Sequence, residues 1–186
     1  MCARMRAHLN QAHRYAHTVR VARMADLLAQ SHGLDAARAR VAGLLHDLAR
    51  LYPAARLLAE CAARRLPIDA FEREHPIVLH AKLGAELAHE MFGVTDVAIR
   101  SAIAKHTVAA PEMSPLDCIV YLADGLEPGR QFPDRAALAA LAHRDLRAAM
   151  RATLAVSMEY LQQRGIPIAP QTAEAVRSFE MSLEEV

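Results

Sequence analysis

The chain has 186 residues with 22 basic and 21 acidic side chains, and its formal net charge of +1 excludes a nucleic-acid protein that relies on bulk positive charge. Hydrophobic residues make up 53% of the chain, enough for a folded core, which excludes an intrinsically disordered protein. Alanine occupies 39 positions, against 7 for glycine and 9 for proline. Because alanine is the strongest helix former, the composition predicts an all-α protein.

The cysteines and the chain start indicate a cytoplasmic protein without a membrane partner. Cys2, Cys61 and Cys118 lie far apart without a CxxC pair, which predicts neither a zinc ribbon nor a disulfide framework. Residues 1–10 alternate charged and apolar side chains, and no apolar run approaches the roughly 20 residues that span a bilayer. We expect a single domain over residues 1–186, with a motif-bearing core at about 9–130 and C-terminal helices at about 133–184.

Helical periodicity and capping residues predict helices along the whole chain. The first covers residues 10–31 and stops at Gly33, and the second covers residues 36–50 after an Asp35 cap. A third starts at Pro53 and ends near residue 65, and residues 66–75 form a loop with room for one short helix. Three more follow: one that Pro76 opens and Gly93 closes, one capped by Thr95 that carries His106, and one from Ser114-Pro115 to Pro128-Gly129. The last three cover residues 135–142, 145–164 and 172–183.

Six polar residues interrupt the apolar stripes of five predicted helices: His17, His46, Asp47, His80, His106 and Asp124. A buried charge or imidazole is costly without a partner, so their convergence on one spot would favour a metal site. Imidazole and carboxylate ligands without thiolate suit iron or manganese, and the set is large enough for two ions with one carboxylate bridging. For any one histidine, the alternative is a hydrogen-bonded core residue.

Six further histidines stand outside this set, and the role of His75 among them is ambiguous. His75 precedes Pro76 and could lie near the mouth of a pocket. The remaining five are interpreted as solvated or structural: His8, His13, His32, His89 and His143.

The segment Leu44-Leu45-His46-Asp47, with His17 upstream and Asp124 downstream, resembles the H…HD…D signature of the HD-domain metallophosphohydrolases. Residues 14–22, 42–49, 79–85, 102–107, 121–124 and 127–130 resemble the YqeK-type branch, the symmetrical bis(5′-nucleosyl)-tetraphosphatases. The resemblance covers roughly residues 9 to 180. It implies an all-α, single-domain HD-domain helical bundle.

The resemblance also implies a hydrolase of phosphoanhydride bonds with a small nucleotide as substrate. A two-iron centre, with manganese as the second choice of metal, would split diadenosine tetraphosphate into two ADP through a hydroxide that bridges the metals. His17, His46, Asp47 and Asp124 would hold one ion, and Asp47 would bridge to a second ion held by His80 and His106. A homodimer stays open.

Two arginines are candidates for phosphate contacts. Arg50 stands where the family commonly carries lysine, and its alternative is a solvated cation at a helix end. Arg130 either pairs with Glu127 or reaches the phosphates.

The chain departs from the family after His106-Thr107, where Val108-Ala109 replaces the usual Thr-Gly. Two alternatives therefore accompany the main hypothesis: an HD hydrolase of another nucleotide, and a non-catalytic nucleotide-binding helical module.

Overall fold

Eleven α-helices build the part of the chain that the computed structural model describes, residues 1–181, and these residues contain no β-strand. The all-α prediction is therefore confirmed. A short 3-10 turn, Pro76–Val78, precedes the sixth helix. In chain order the helices are α1 (Cys2–Leu9), α2 (Ala12–Ser31), α3 (Ala36–Leu45), α4 (Ala54–Ala63), α5 (Ala70–Glu74), α6 (Leu79–Phe92), α7 (Val97–Lys105), α8 (Pro115–Leu126), α9 (Arg135–Ala142), α10 (Leu146–Gln163) and α11 (Pro170–Met181).

Two hydrophobic clusters form the core, and α2, α3 and α8 contribute side chains to both. The first cluster joins these helices to α1, α4, α6 and α7, with Leu45 and Leu83 fully buried in it. The second joins them to α9, α10 and α11, with Leu28 and Leu122 fully buried in it. Burying each of these large side chains stabilises the fold by about 1.5–3 kcal/mol before entropy is counted. The three shared helices therefore sit at the centre of the molecule.

Small residues let α2 and α3 approach backbone to backbone. A Cβ atom on Gly43 of α3 would lie only 2.9 Å from the Cα atom of Ala22 on α2. His17 lies five residues before Ala22, and His46 lies three residues after Gly43. The close approach brings the imidazole rings of His17 and His46 to a centroid distance of 5.3 Å.

Most predicted helix ends are confirmed, and one cap is corrected. Asp35 caps α3, and Ser114 caps α8 through a capping box with Asp117. Gly93 adopts a left-handed φ of 68° at the end of α6, a conformation that costs glycine little. The cap of α7 is Asp96, not Thr95, because the Asp96 carboxylate accepts hydrogen bonds from the N–H groups of Ala98 and Ile99.

The structure differs from the sequence prediction before the first predicted helix and at the end of the second. Residues 2–9 form a separate helix, α1, which a left-handed Asn10 (φ 48°) divides from α2. The second predicted helix ends at Leu45 rather than at Arg50, and residues 46–52 continue as tight turns. The His46 imidazole donates to the carbonyl of Gly43 at 2.7 Å, the acceptor that a continuing helix would offer to the N–H of Asp47.

The start of one further helix also differs from the prediction. The helix expected from Pro76 begins at Leu79, after the 3-10 turn. The short helix allowed for in residues 66–75 is α5. The last helix was predicted over residues 172–183, and its end at Leu183 lies outside the described residues. No helix within residues 1–181 is long and apolar enough to cross a bilayer.

Candidate metal centre

The six residues singled out from the sequence lie together where α2, α3, α6, α7 and α8 meet. Four of the helices carry or directly precede the histidines, and Asp47 follows α3. All four imidazoles and Asp47 are buried, and Asp124 is partly buried. Donor atoms of these residues fall into three overlapping groups within 4.8 Å of one another: His17, His46 and Asp47; His46, His106 and Asp124; and Asp47, His80 and His106.

Each of the four histidines has its Nδ1 atom engaged by an acceptor, which leaves Nε2 facing the cluster. His46, His80 and His106 contact the carbonyl oxygen three residues back, at 2.7, 2.5 and 2.7 Å. His17 instead contacts the Glu127 carboxylate, with Nδ1 to Oε1 at 3.0 Å. In the neutral ring, an Nδ1–H that donates outward leaves the Nε2 lone pair free to bind a metal.

Asp47 lies between two pairs of histidines. Its Oδ2 atom is 3.9 Å from His17 Nε2 and 3.6 Å from His46 Nε2. Its Oδ1 atom is 3.5 Å from His80 Nε2 and 3.9 Å from His106 Nε2. One carboxylate therefore presents a separate oxygen to each histidine pair, which is the arrangement that a bridging ligand needs.

The contacts among the Nε2 atoms fit a cation better than they fit the protein alone. His80 Nε2 and His106 Nε2 lie 3.2 Å apart, so with both Nδ1 atoms donating, two lone pairs face each other. Within residues 1–181, the one hydroxyl in hydrogen-bonding contact with them is that of Thr107, 3.2 and 3.1 Å away, and its single proton can serve one ring at a time. The buried Nε2 of His46 has no hydrogen-bond partner among the described residues. A buried polar atom without a partner is costly, and bound metal would remove this cost.

The protonation states of His80, His106 and Asp47 also suit metal binding. Burial, followed by the neighbouring His46 and His80 rings, lowers the pKa of His106 to about 3. Burial also lowers the pKa of His80, which is therefore a neutral base at pH 7. Burial raises the pKa of Asp47, but the surrounding imidazoles outweigh it and hold the pKa below its ordinary value. His80 and His106 thus offer neutral imidazoles and Asp47 an ionised carboxylate, the forms that bind metal. Burial lowers the pKa of His17, but the carboxylates of Asp124 and Glu127 outweigh it and raise the pKa.

Glu127 pairs with Arg20 and His17, not with Arg130. Its Oε2 atom accepts from Arg20 Nε at 2.5 Å and from the Gly129 N–H at 2.5 Å, and the carboxylate is almost fully buried. Burial raises the pKa of Glu127, but these donors outweigh it and lower the pKa to about 2. The interpretation of a Glu127–Arg130 pair is wrong, because Arg130 Nη2 contacts Asp124 Oδ1 at 2.6 Å instead.

A cavity of about 390 Å³ opens beside the cluster, and three arginines are among its lining residues. Arg50 and Arg130, the two arginines predicted from the sequence, both line this cavity. Arg14 also lines it and lies 3.6 Å from Asp47 Oδ2, a contact that the sequence analysis did not predict. Arg14 and Arg20 each lie three residues from His17 on α2. Residues three apart on a helix are neighbours on its surface, so this spacing could have indicated both arginines from the sequence.

The remaining histidines make contacts elsewhere. His75 packs against the ring of Phe71 at a centroid distance of 4.5 Å, and His89 is exposed and contacts the carbonyl of Val94. His8 and His32 each contact a backbone carbonyl at 2.7 Å. His143 contacts Ser31, and His13 is exposed.

The turn after His106-Thr107 contains a residue with a positive φ. Ala109, at the position where the resemblance implies glycine, adopts a left-handed φ of 60°. Its N–H donates to the carbonyl of Lys105 at 3.0 Å, and its side chain is buried. Alanine is strained in this conformation by about 1–2 kcal/mol, which explains why glycine suits the position.

Comparison with known proteins shows the family of the chain. The family model described as HD domain matches residues 14–129. A Bacillus subtilis protein named bis(5′-nucleosyl)-tetraphosphatase, symmetrical, is 34% identical over 160 residues, covering 86% of each chain. A protein of the same name from Halalkalibacterium halodurans is 34% identical over 170 residues, covering 90% of this chain and 89% of its own.

A solved structure has the same fold over nearly the whole chain. It is the crystal structure of a protein from Clostridium acetobutylicum described as a predicted HD superfamily hydrolase involved in NAD metabolism. The TM-score is 0.93 at 29% identity, with 97% of this chain and 95% of that chain covered. HD domains are metal-dependent, and the His and Asp groups described above provide ligands for metal. The chain belongs to the HD domain family, in its YqeK-type branch.

Proposed function

We propose that the chain is a metal-dependent phosphohydrolase that cleaves dinucleoside tetraphosphates symmetrically into two nucleoside diphosphates. The observation that carries the proposal is Asp47, whose two oxygens face two pairs of inward-turned imidazoles. The names of the 34%-identical relatives support the substrate class. The arginines of the adjoining cavity support a polyanionic substrate, because guanidinium groups bind phosphate oxygens in bidentate fashion.

Two ions are part of the proposal. His17, His46, Asp47 and Asp124 would hold one ion, and Asp47 with His80 and His106 would hold the other. The donor set supports iron first and manganese second, because it contains imidazole and carboxylate without thiolate. Cys61 and Cys118 are buried within the two hydrophobic clusters and do not join the donor groups.

The chain's own residues bind and orient the substrate in this proposal. When bound, a pair of ions supplies an acidified water and neutralises charge on the phosphate oxygens. Arg14 and Arg50 hold the tetraphosphate against the cluster, and Arg130 at the side of Asp124 holds it on the α8 side. The leaving group is a nucleoside diphosphate, which departs as a stable anion, so the cavity needs no strong general acid.

Product analysis tests the reaction. Metal-loaded enzyme is given diadenosine tetraphosphate, the reaction is stopped early, and the nucleotides are separated by anion-exchange chromatography. We expect ADP as the sole initial product. AMP together with ATP would contradict symmetrical cleavage, and no release of nucleotide by fully loaded protein would favour the non-catalytic module.

Metal content tests the bridge. Asp47→Ala should remove both ions, because each would lose a carboxylate oxygen, and elemental analysis of anaerobically purified protein measures the loss. Asp26→Ala is the matched control, since Asp26 lies on α2, is partly buried and is hydrogen-bonded to Gln30 and Arg40. Full metal content in Asp47→Ala would contradict the dinuclear assignment.

Two further expectations belong to this proposal. A cytoplasmic location is supported by three unpaired cysteines, which suit a reducing compartment. A homodimer stays open, and sedimentation of the purified protein decides it.

A further inference from the structure

Thr107, the residue after His106, places a hydroxyl group against two proposed metal ligands. Its Oγ1 atom lies 3.2 Å from His80 Nε2 and 3.1 Å from His106 Nε2. The two Nε2 atoms are themselves 3.2 Å apart. These three atoms, which we call the donor triangle, therefore form a nearly equilateral set.

The path of the chain explains why the hydroxyl contacts imidazoles rather than the backbone. In a helix, a threonine hydroxyl can donate to the carbonyl three or four residues back. The carbonyl four residues before Thr107 is that of Ile103, which already contacts His106 Nδ1 at 2.7 Å. Helix α7 ends at Lys105, so Thr107 lies in the turn that follows. Within the described part of the chain, its hydroxyl is hydrogen-bonded to the two imidazoles.

Hydrogen bonding alone leaves the donor triangle unsatisfied. Because Nδ1 of each ring is engaged by a carbonyl, each neutral ring has a lone pair on Nε2, and the hydroxyl oxygen has lone pairs of its own. The proton on Oγ1 can pair with one imidazole at a time, so the other ring keeps an unpaired lone pair. A cation bound to all three atoms would use every one of them.

The size of the donor triangle matches a metal ion. Ligand atoms about 2.1 Å from an ion lie about 3.0 Å apart at neighbouring octahedral positions and about 3.4 Å apart at tetrahedral positions. The observed separations of 3.1 and 3.2 Å fall between these values. Asp47 Oδ1 lies 3.5 Å from His80 Nε2 and 3.9 Å from His106 Nε2. The triangle and this carboxylate oxygen together provide four donor atoms for the second ion.

A hydroxyl oxygen also suits the metals that the other ligands favour. Oxygen ligands such as carboxylate, carbonyl and water suit manganese, and imidazole suits iron. Threonine and serine hydroxyls bind Mg²⁺ directly in P-loop nucleotide hydrolases, so a neutral hydroxyl is an established type of ligand for a divalent ion.

We infer that Thr107 is a further ligand of the second ion, to which its hydroxyl oxygen binds together with His80, His106 and Asp47. The inference rests on the two-ion centre of the proposed function. It concerns metal binding, so it is tested without substrate.

The test compares Thr107→Ala with Thr107→Ser, because both variants lack the methyl group and they differ only in the hydroxyl. Mn²⁺ is titrated into metal-free protein by calorimetry, and elemental analysis counts the ions that remain after gel filtration. The parent protein and Thr107→Ser should bind about two ions per chain. Thr107→Ala should bind the second ion at least about tenfold more weakly, since partners outside the ligand set already change metal affinity by about 10–100-fold. His80→Ala is the reference for loss of the second ion.

Thr18 provides a matched control. It directly follows His17, a proposed ligand of the first ion, as Thr107 follows His106, and it is fully buried. Its hydroxyl donates to the carbonyl of Tyr15 at 2.9 Å instead of contacting an imidazole. Thr18→Ala should therefore keep both ions.

The direction of the change separates a metal ligand from a hydrogen-bond partner. A hydroxyl that only bonds to the rings would stabilise the metal-free state, so its removal would leave the affinity for the second ion unchanged or raise it. Either result for Thr107→Ala would overturn the inference, as would equal weakening in Thr107→Ala and Thr107→Ser. If Thr107→Ala loses the second ion as expected but the loaded parent protein does not cleave diadenosine tetraphosphate, the proposed reaction fails and the ligand assignment stands.

Discussion

Replacing Gly43 with alanine should destabilise the protein, although alanine is the better helix former. The new Cβ atom would lie 2.9 Å from Ala22 Cα, 3.1 Å from Ala22 N and 3.2 Å from Val21 O. All three are backbone atoms of α2, which cannot rotate away as a side chain would. Overpacking a core costs about 1–3 kcal/mol. The gain in helix propensity returns up to about 1 kcal/mol.

Because backbone atoms must shift, the cost lies in the upper part of this range, about 2–3 kcal/mol, and the net loss is about 1–2 kcal/mol. For a chain of this size, such a loss lowers the melting temperature by roughly 2–8 °C. Thermal unfolding of metal-free protein measures it. Metal content should fall as well, because separating α2 from α3 moves His17 away from His46.

Gly125→Ala is the control. Its Cβ atom would meet Thr153 Cγ2 at 3.8 Å, an ordinary contact, so alanine should leave the melting temperature unchanged or raise it. A melting temperature for Gly43→Ala at or above that of the parent protein would refute the close packing of α2 on α3.

Further predictions concern the histidines. His80→Ala and His106→Ala should each leave partly loaded protein with turnover lower by orders of magnitude, whereas His75→Ala and His89→Ala should retain metal and ADP release. An inactive His75→Ala beside an active His80→Ala would show that the ligand was assigned to the wrong residue. The pKa of His106 is about 3 in the folded chain and 6.5 ordinarily, so the unfolded chain binds more protons between these values. The free energy of unfolding of metal-free protein should therefore fall as the pH drops from 6.5 towards 3, and urea unfolding at pH 7.5 and 5 should detect it. His106→Gln should reduce this dependence, and equal stability of the parent protein at the two pH values would contradict the buried, neutral imidazole.

The helices that carry the centre were predictable because their signals are local. Asp35, Ser114 and Gly93 act at helix ends through contacts within a few residues, so the sequence pattern contains the whole cause. The helix α1 was missed because only Met5 and Leu9 are buried in it, and two apolar positions do not establish a period.

The partners of the site were less predictable because they depend on distant contacts. Glu127 and Arg20 are 107 positions apart, and no local pattern links the carboxylate to the guanidinium that it binds. The pairing of Arg130 with Asp124 likewise follows from how the chain turns after α8. The end of α3 at Leu45 was missed because a side chain, the His46 imidazole, takes the helical acceptor at Gly43.

The anchoring of the imidazoles determines how such a centre can be tuned. Main-chain carbonyls orient His46, His80 and His106. A side-chain substitution leaves these carbonyls in place unless it changes the path of the backbone. His17 is oriented by a side chain, Glu127, whose negative charge also makes the ring a stronger electron donor. Glu127 therefore sets both the orientation and the basicity of His17, one of the proposed metal ligands. Glu127→Gln would lower the basicity of the His17 ring and leave the other three imidazoles unchanged. Glu127 is thus a residue outside the donor set through which the metal preference could be altered.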